Sequence, residues 1–109
     1  MIAIREYIDE AGRSPYKAWF NTLDATAAAK VTVALERMAH GHVSAMKALG
    51  DGISEYRIDF GPGYRIYFAK DGERLIILLG GGTKKRQQQD IVVAKTIWRV
   101  YNRRKRKEQ

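Results

Sequence analysis

The chain of 109 residues contains no cysteine. Disulfides and thiolate chemistry are therefore excluded, and the composition fits the reducing cytoplasm. No apolar run approaches the roughly 20 residues that a membrane-spanning helix requires. The opening stretch MIAIREYIDEAGR carries charges throughout and lacks the apolar core of a signal peptide. There is no metal-ligand cluster, and the two histidines, His40 and His42, stand together at the end of a predicted helix. The GxxxxGK[ST] phosphate loop is missing, and so are the alternating β-α units of a dinucleotide fold. Internal repeats and linkers are absent too. At this length one core is expected, and an apolar content of 45% with 10% aromatics places the chain among folded proteins rather than disordered ones. A soluble, cytoplasmic, single-domain protein is the expectation.

What the chain does have is positive charge, unevenly placed. The formal net charge is +8, and residues 84–109 supply all of it, with ten Lys/Arg against Asp90 and Glu108. Residues 1–83 balance ten against ten. Such asymmetry is an electrostatic footprint with polyanions as natural partners, although an acidic protein or simple solvation of the RRKRK run at 103–107 would fit as well.

Hydrophobic periodicity predicts α+β architecture in the order β-α-α-β-β-β-α: a small antiparallel sheet, an N-terminal helical hairpin and a C-terminal helix. IAIREYI (2–8) reads as a short strand. In SPYKAWFNTL (14–23), Ser14 is a candidate N-cap and Pro15 suits the first helical position. Asp24 caps a second helix with Ala27, Val31, Ala34, Leu35 and Met38 as its apolar stripe and Gly41 as its stop. Residues 41–52 read as a glycine-rich connection. Strands are predicted at 53–60, 64–69 and 74–79, with Asp71–Gly72 turning the last pair. A third helix spans 84–103, carrying Ile91, Ala94, Trp98 and Tyr101 on one stripe. Residues 1–103 form the expected domain, and 104–109 a basic, disordered tail.

The stretch ISEYRIDFGPGYRIYF (53–68) alternates around Gly61-Pro62-Gly63. Pro62 fixes a negative φ, so the flanking glycines must supply any positive φ in the loop. With that loop, Phe60 pairs with Tyr64, Ile58 with Ile66 and Tyr56 with Phe68 on an apolar face. The other face carries Arg57 opposite Tyr67, and Asp59 opposite Arg65. Through the Asp71–Gly72 turn, Leu75, Ile77 and Leu79 join the apolar side, while Ile76 and Leu78 floor the face of Arg57, Arg65 and Tyr67. LIILL is apolar on both faces and is expected inside the sheet. Cross-strand arginines are also ordinary surface residues, and alternation alone does not make them a site.

LLGGGTKKRQQQDI (78–91) then leads through three glycines into a helix opening with Lys84, Lys85 and Arg86. Glycines let a backbone approach a ligand, and free N–H groups at a helix start suit phosphate. Cations there oppose the helix dipole, at a cost of a few tenths of a kcal/mol or about that order, which is mildly suggestive of function.

LGDGISEYRIDFGPGYRIYF and LIILLGGGTKKRQQQDIVVAKTIW together resemble the HigB-like branch of the RelE/ParE toxin superfamily, the addiction-module killer proteins. The resemblance is strongest over residues 47–98. It implies a type II toxin that acts as a ribosome-dependent mRNA endonuclease, with 2′-OH attack on the adjacent phosphate, a 2′,3′-cyclic phosphate and a 5′-OH as products, and no metal or cofactor. It implies as partners the mRNA on the ribosome and a cognate antitoxin, a helix-turn-helix protein. By that resemblance Arg57 and Arg65 stabilise the phosphorane, Lys84 or Lys85 is the candidate base, and Tyr67 stacks on a base or holds the 2′-OH. Lys85, Arg86, Arg103 and Arg104 would bind RNA. Several members use histidine, and the placement of His40 and His42 departs from that pattern. Two alternatives share the fold: a ParE-like gyrase inhibitor and a non-enzymatic RNA-binding module.

Overall fold

The computed structural model describes residues 1–42 and 44–108. Along the chain come β1 (Ala3–Glu6), α1 (Pro15–Phe20), α2 (Ala25–Ala39), β2 (Met46–Gly50), β3 (Ile53–Ile58), β4 (Tyr64–Lys70), β5 (Leu75–Thr83), a 3₁₀ turn (Lys84–Arg86) and α3 (Gln87–Lys107). The five strands form one sheet in the order β1-β5-β4-β3-β2. β1 pairs parallel to β5 and the other neighbours are antiparallel, so the sheet is mixed rather than wholly antiparallel. A parallel pair needs a long connection, and here everything from α1 to β4 supplies it.

Both helix starts follow the sequence. The Lys17 N–H donates to Ser14 Oγ at 3.0 Å with Pro15 in the first turn, and the Ala27 N–H donates to Asp24 Oδ1 at 2.8 Å. α1 and α2 cover one face of the sheet, burying Tyr16, Val31, Ala34 and Met38 against Tyr56, Ile66, Phe68, Ile76 and Leu78. α3 covers the other face, where Ile91, Ala94, Trp98 and Tyr101 pack on Ile53, Tyr67, Ile77 and Leu79. The sheet is thus buried on both sides, and β5, apolar from Leu75 to Leu79, lies between β1 and β4 as its composition requires.

Four further expectations change. Met46–Gly50, read as connection, is an edge strand; Asp51 and Gly52 both take positive φ, at 56° and 85°, which makes the tight turn that joins it to β3. In the β3–β4 hairpin, Ile58 faces Tyr64, Tyr56 faces Ile66 and Arg57 faces Arg65. The loop is therefore longer than Gly61–Gly63 by two residues, and Phe60 leaves the strand. Because that slip is even, every side chain keeps its face. The β4–β5 register slips by an odd number instead. Phe68 faces Leu78 because the turn closes through an Asp71 N–H to Leu75 carbonyl bond of 2.9 Å. Ile76 and Leu78 consequently join Tyr56, and Ile77 and Leu79 join Tyr67, the reverse of the expectation.

Finally, α3 begins at Gln87 and runs to Lys107, so residues 104–107 are helical where a disordered tail was expected. Val43, within the expected connection, and Gln109, within the expected tail, lie outside the described residues. The terminal turn is held by its own charges. Lys105 pairs with Asp71, the Tyr101 hydroxyl donates to Asp71 Oδ2 at 2.5 Å, and Arg104 Nη1 donates to the Ile8 carbonyl at 3.0 Å. Cations also suit a helix C-terminus. No described helix is long and apolar enough to cross a membrane.

Candidate functional site

The loop between β3 and β4 closes with Gly61 at φ 56° and Gly63 at φ 81°, the two positions that flank Pro62. Its tight return brings the start of β4 to the end of β5, where the Lys84 N–H donates to the Gly63 carbonyl at 2.9 Å. Arg57, Asp59, Arg65 and Lys84 then line one open cavity of about 410 Å³, with Ala45 at its side. Three predicted site residues, on β3, β4 and the 3₁₀ turn, are brought together.

Arg57 stands opposite Arg65 in the ladder, an arrangement that repels unless one charge is answered. The answer is Glu55. Its carboxylate is fully buried, at 0% exposure, and its Oε2 lies 2.7 Å from Arg65 Nε, itself 10% exposed. The Nε–H is not aimed at the oxygen, so the contact is Coulombic rather than a linear hydrogen bond. Glu55 Oε1 accepts from Gln87 Nε2 at 2.8 Å, which ties the pair to the first residue of α3. Arg65 Nη1 donates to the Tyr64 carbonyl at 3.2 Å. One guanidinium is thereby fixed at the cavity wall. Arg57 and Lys84 are exposed and make no ion pair among the described residues. The expected Asp59–Arg65 pair does not form, because Asp59 lies in the loop rather than the ladder.

Tyr67 does not line this cavity. It is buried beneath α3, its hydroxyl without a hydrogen-bond partner among the described residues, and burial, reinforced by the charges of Asp90 and Glu55, pushes that hydroxyl far above its ordinary pKa while Arg65 pulls the other way. It is a core residue with an orphaned proton, not a stacking platform. Lys85 and Arg86 are exposed on the 3₁₀ turn. Arg103 is exposed, and Arg104 bonds to Ile8 and to the Tyr7 hydroxyl at 3.2 Å, at the other end of α3. At 1.5 Å per residue those two arginines sit about 25 Å along α3 from its first residue, Gln87, which follows the Lys84–Arg86 turn. His42 lines a separate groove of about 690 Å³ that shares Arg57 and Asp59 with the cavity, whereas His40 bonds to the Glu36 carbonyl at its helix end.

The glycine run has a packing cause. A Cβ on Gly81 would overlap the Trp19 ring, and one on Gly82 would overlap the Asp90 carboxylate. These two neighbours sit over opposite faces of β5. Among the described residues no three His, Asp or Glu side chains assemble as a metal-ligand set.

A small mixed sheet with helices on both faces, and a cavity at one end lined by three cations and Asp59, defines a small α+β domain. The chain belongs to the phage-derived Gp49-like protein family (DUF891), whose model matches residues 18–103, and that toxin-like family falls within the RelE/HigB-type superfamily. It is similar to an uncharacterized protein of Haemophilus influenzae Rd, 39% identical over 63 residues, which are 57% of this chain. The match spans 64% of that relative's length.

Proposed function

We propose that the protein is the toxin of a type II toxin–antitoxin pair, of the HigB-like kind, and an endoribonuclease that cuts mRNA on the ribosome by 2′-OH attack. The observation that carries this reading is the convergence of Arg57, Arg65 and Lys84 on one cavity, with Arg65 immobilised by buried Glu55. A phosphorane gains negative charge as it forms, and pre-oriented guanidinium donors stabilise that charge more than the ground state. Asp59 is the carboxylate on the cavity and takes the 2′-OH proton; Lys84 gives one to the leaving 5′-oxygen. Membership of a toxin-like family supports an antitoxin partner, for which a helix-turn-helix protein that covers the cationic cavity is the proposal.

Primer extension on a defined mRNA, in a reconstituted translation reaction with and without ribosomes, tests the reading. New 5′ ends are expected with wild type and ribosomes, and none with Arg65→Ala. Intact mRNA with intact translation would overturn it in favour of gyrase poisoning. Intact mRNA with blocked translation would make the arginines anchors of a binding inhibitor.

A further inference from the structure

A strand cut internally at the cavity must leave it on both sides of the broken bond, so the walls of the cavity decide where RNA can run. The cleft beside Trp19, of about 520 Å³, has no lining residue in common with the cavity and sets Arg86 against Asp24 and Asp90. The groove between α2 and β3, of about 690 Å³, has Ala45, Arg57 and Asp59 in common with it. That shared rim is tied by the Arg57 N–H, which donates to the Ala45 carbonyl at 3.0 Å. In the groove Lys30, Arg37 and Arg57 stand against Asp59 alone. Both continuity and charge therefore favour the groove as the path of a polyanion.

Helix periodicity builds its outer wall. Lys30, Val33, Ala34 and Arg37 fall at i, i+3, i+4 and i+7 of α2, which sets an apolar step between two cations about 10 Å apart along the axis. Both cations are exposed, and neither pairs with a carboxylate among the described residues. Facing them are Tyr56 and Ile58 of β3 and, from the loop, Phe60. Phe60 is 37% exposed, and Lys30 Nζ lies over its ring, 5.2 Å from the centroid. Cations that follow a backbone, beside an aromatic face that accepts a base, are how proteins grip single strands.

We propose that this groove holds the single-stranded RNA next to the cleavage cavity, on one side of the scissile phosphate. Arg57 spans cavity and groove, Lys30 and Arg37 take phosphates further along, and one base stacks on Phe60. The cation–π contact of Lys30 is an exposed and weak one; on binding, its ammonium moves to a phosphate and the base takes its place on the ring. Stacking of this kind tolerates any base, so the groove supplies grip rather than sequence choice. The proposal deepens the RNA-cleaving reading and rests on it for what enters the cavity, whereas the grip is measured without cleavage.

The test is fluorescence anisotropy of a labelled 2′-O-methyl octanucleotide, which 2′-OH attack cannot cut, titrated with the full-length protein between about 50 and 200 mM salt. Lys30→Gln and Arg37→Gln should each weaken binding about fivefold at about 100 mM salt and lower the salt slope by about 0.7. Phe60→Leu keeps an apolar side chain in the loop and should weaken binding about tenfold with the slope unchanged. Arg99→Gln, which removes an exposed cation on α3, should leave the affinity within about twofold. Binding indifferent to Lys30, Arg37 and Phe60, or an equal loss in Arg99→Gln, would overturn the groove as the RNA path. A labelled glutamate octapeptide that binds as tightly and depends on the same two cations would overturn it in favour of an acidic protein partner. The expected losses, with mRNA left intact in the translation reaction, would uphold the groove and count against the cavity as a nuclease.

Discussion

Glu55→Gln is the substitution that most directly probes how the cavity is built. Glu55 is wholly buried, 2.7 Å from an arginine that is itself almost buried. The amide keeps the volume and can still accept from Gln87, so only the charge is lost. Arg65 is then a buried cation without a counter-ion, facing Arg57 across the ladder. Breaking one side of a buried pair costs about 3 kcal/mol, more than any surface pair is worth. Against a total of roughly 5–15 kcal/mol this is a large share. At about 4 °C per kcal/mol for a domain of this size, the Tm should fall by about 12 °C in thermal unfolding followed by circular dichroism. Arg65→Met should cost at least as much, since it strands the more deeply buried carboxylate. The double variant Glu55→Leu with Arg65→Met removes both charges and should recover to within about 1 kcal/mol of wild type, as buried pairs replaced by apolar groups commonly do. A folded but inactive double variant separates the pair's catalytic service from its structural one. A Tm unchanged within 2 °C or so in Glu55→Gln would refute the reasoning, because Arg65 would then be solvated and free to move rather than fixed.

Four further outcomes are expected. Gly81→Ala should destabilise by about 1–3 kcal/mol in denaturant unfolding, because the added methyl must displace the Trp19 ring. Asp90→Asn should raise the Tm at pH 7: burial holds the folded pKa above the unfolded value, so the ionised form opposes folding, and the advantage should shrink as pH falls towards 4. Asp71 has the opposite sign. The hydrogen bonds from Lys105 and Tyr101 hold its carboxyl below the ordinary value, so its contribution is present above about pH 4 and lost as pH falls further; Asp71→Asn should flatten the acid limb of a pH titration of helicity. In the cleavage reaction, Asp59→Asn should slow the single-turnover rate by 100-fold or about that order while RNA binding persists, whereas His42→Gln, in the adjoining groove, should leave the rate within about twofold.

Much of the fold was legible because local signals agreed with one another. Ser14, Pro15 and Asp24 mark helix starts by chemistry that tertiary contacts do not override, and the stripe of α2 buries Ala27, Val31, Ala34 and Met38 as its period demands. β2 was missed because Met46–Gly50 is a half-exposed edge strand with little apolar alternation, although Asp51–Gly52 carries the same turn signal as Asp71–Gly72. The end of the C-terminal helix is not legible in the sequence because a run of cations looks like a solvated tail. Only the fold reveals that Asp71 and the Ile8 carbonyl lie within reach of Lys105 and Arg104.

The candidate site was legible in its cations and illegible in what holds them, and register is the reason. In the β3–β4 hairpin the alternation fixes parity, so Arg57 and Arg65 were placed on one face even with the loop two residues too short. The same error hid Glu55, which becomes diagonal to Arg65 only in the true register. For β5 not even parity was available: LIILL is apolar at every position, so an odd slip exchanges one buried set for another with no penalty that a pattern can register. What pins that strand is its own turn at one end and tertiary packing at the other. The Asp71–Leu75 closure sets one end, and the Trp19 ring and Asp90 carboxylate, seated against Gly81 and Gly82, set the other. The glycine run that suggested a ligand thus first serves packing.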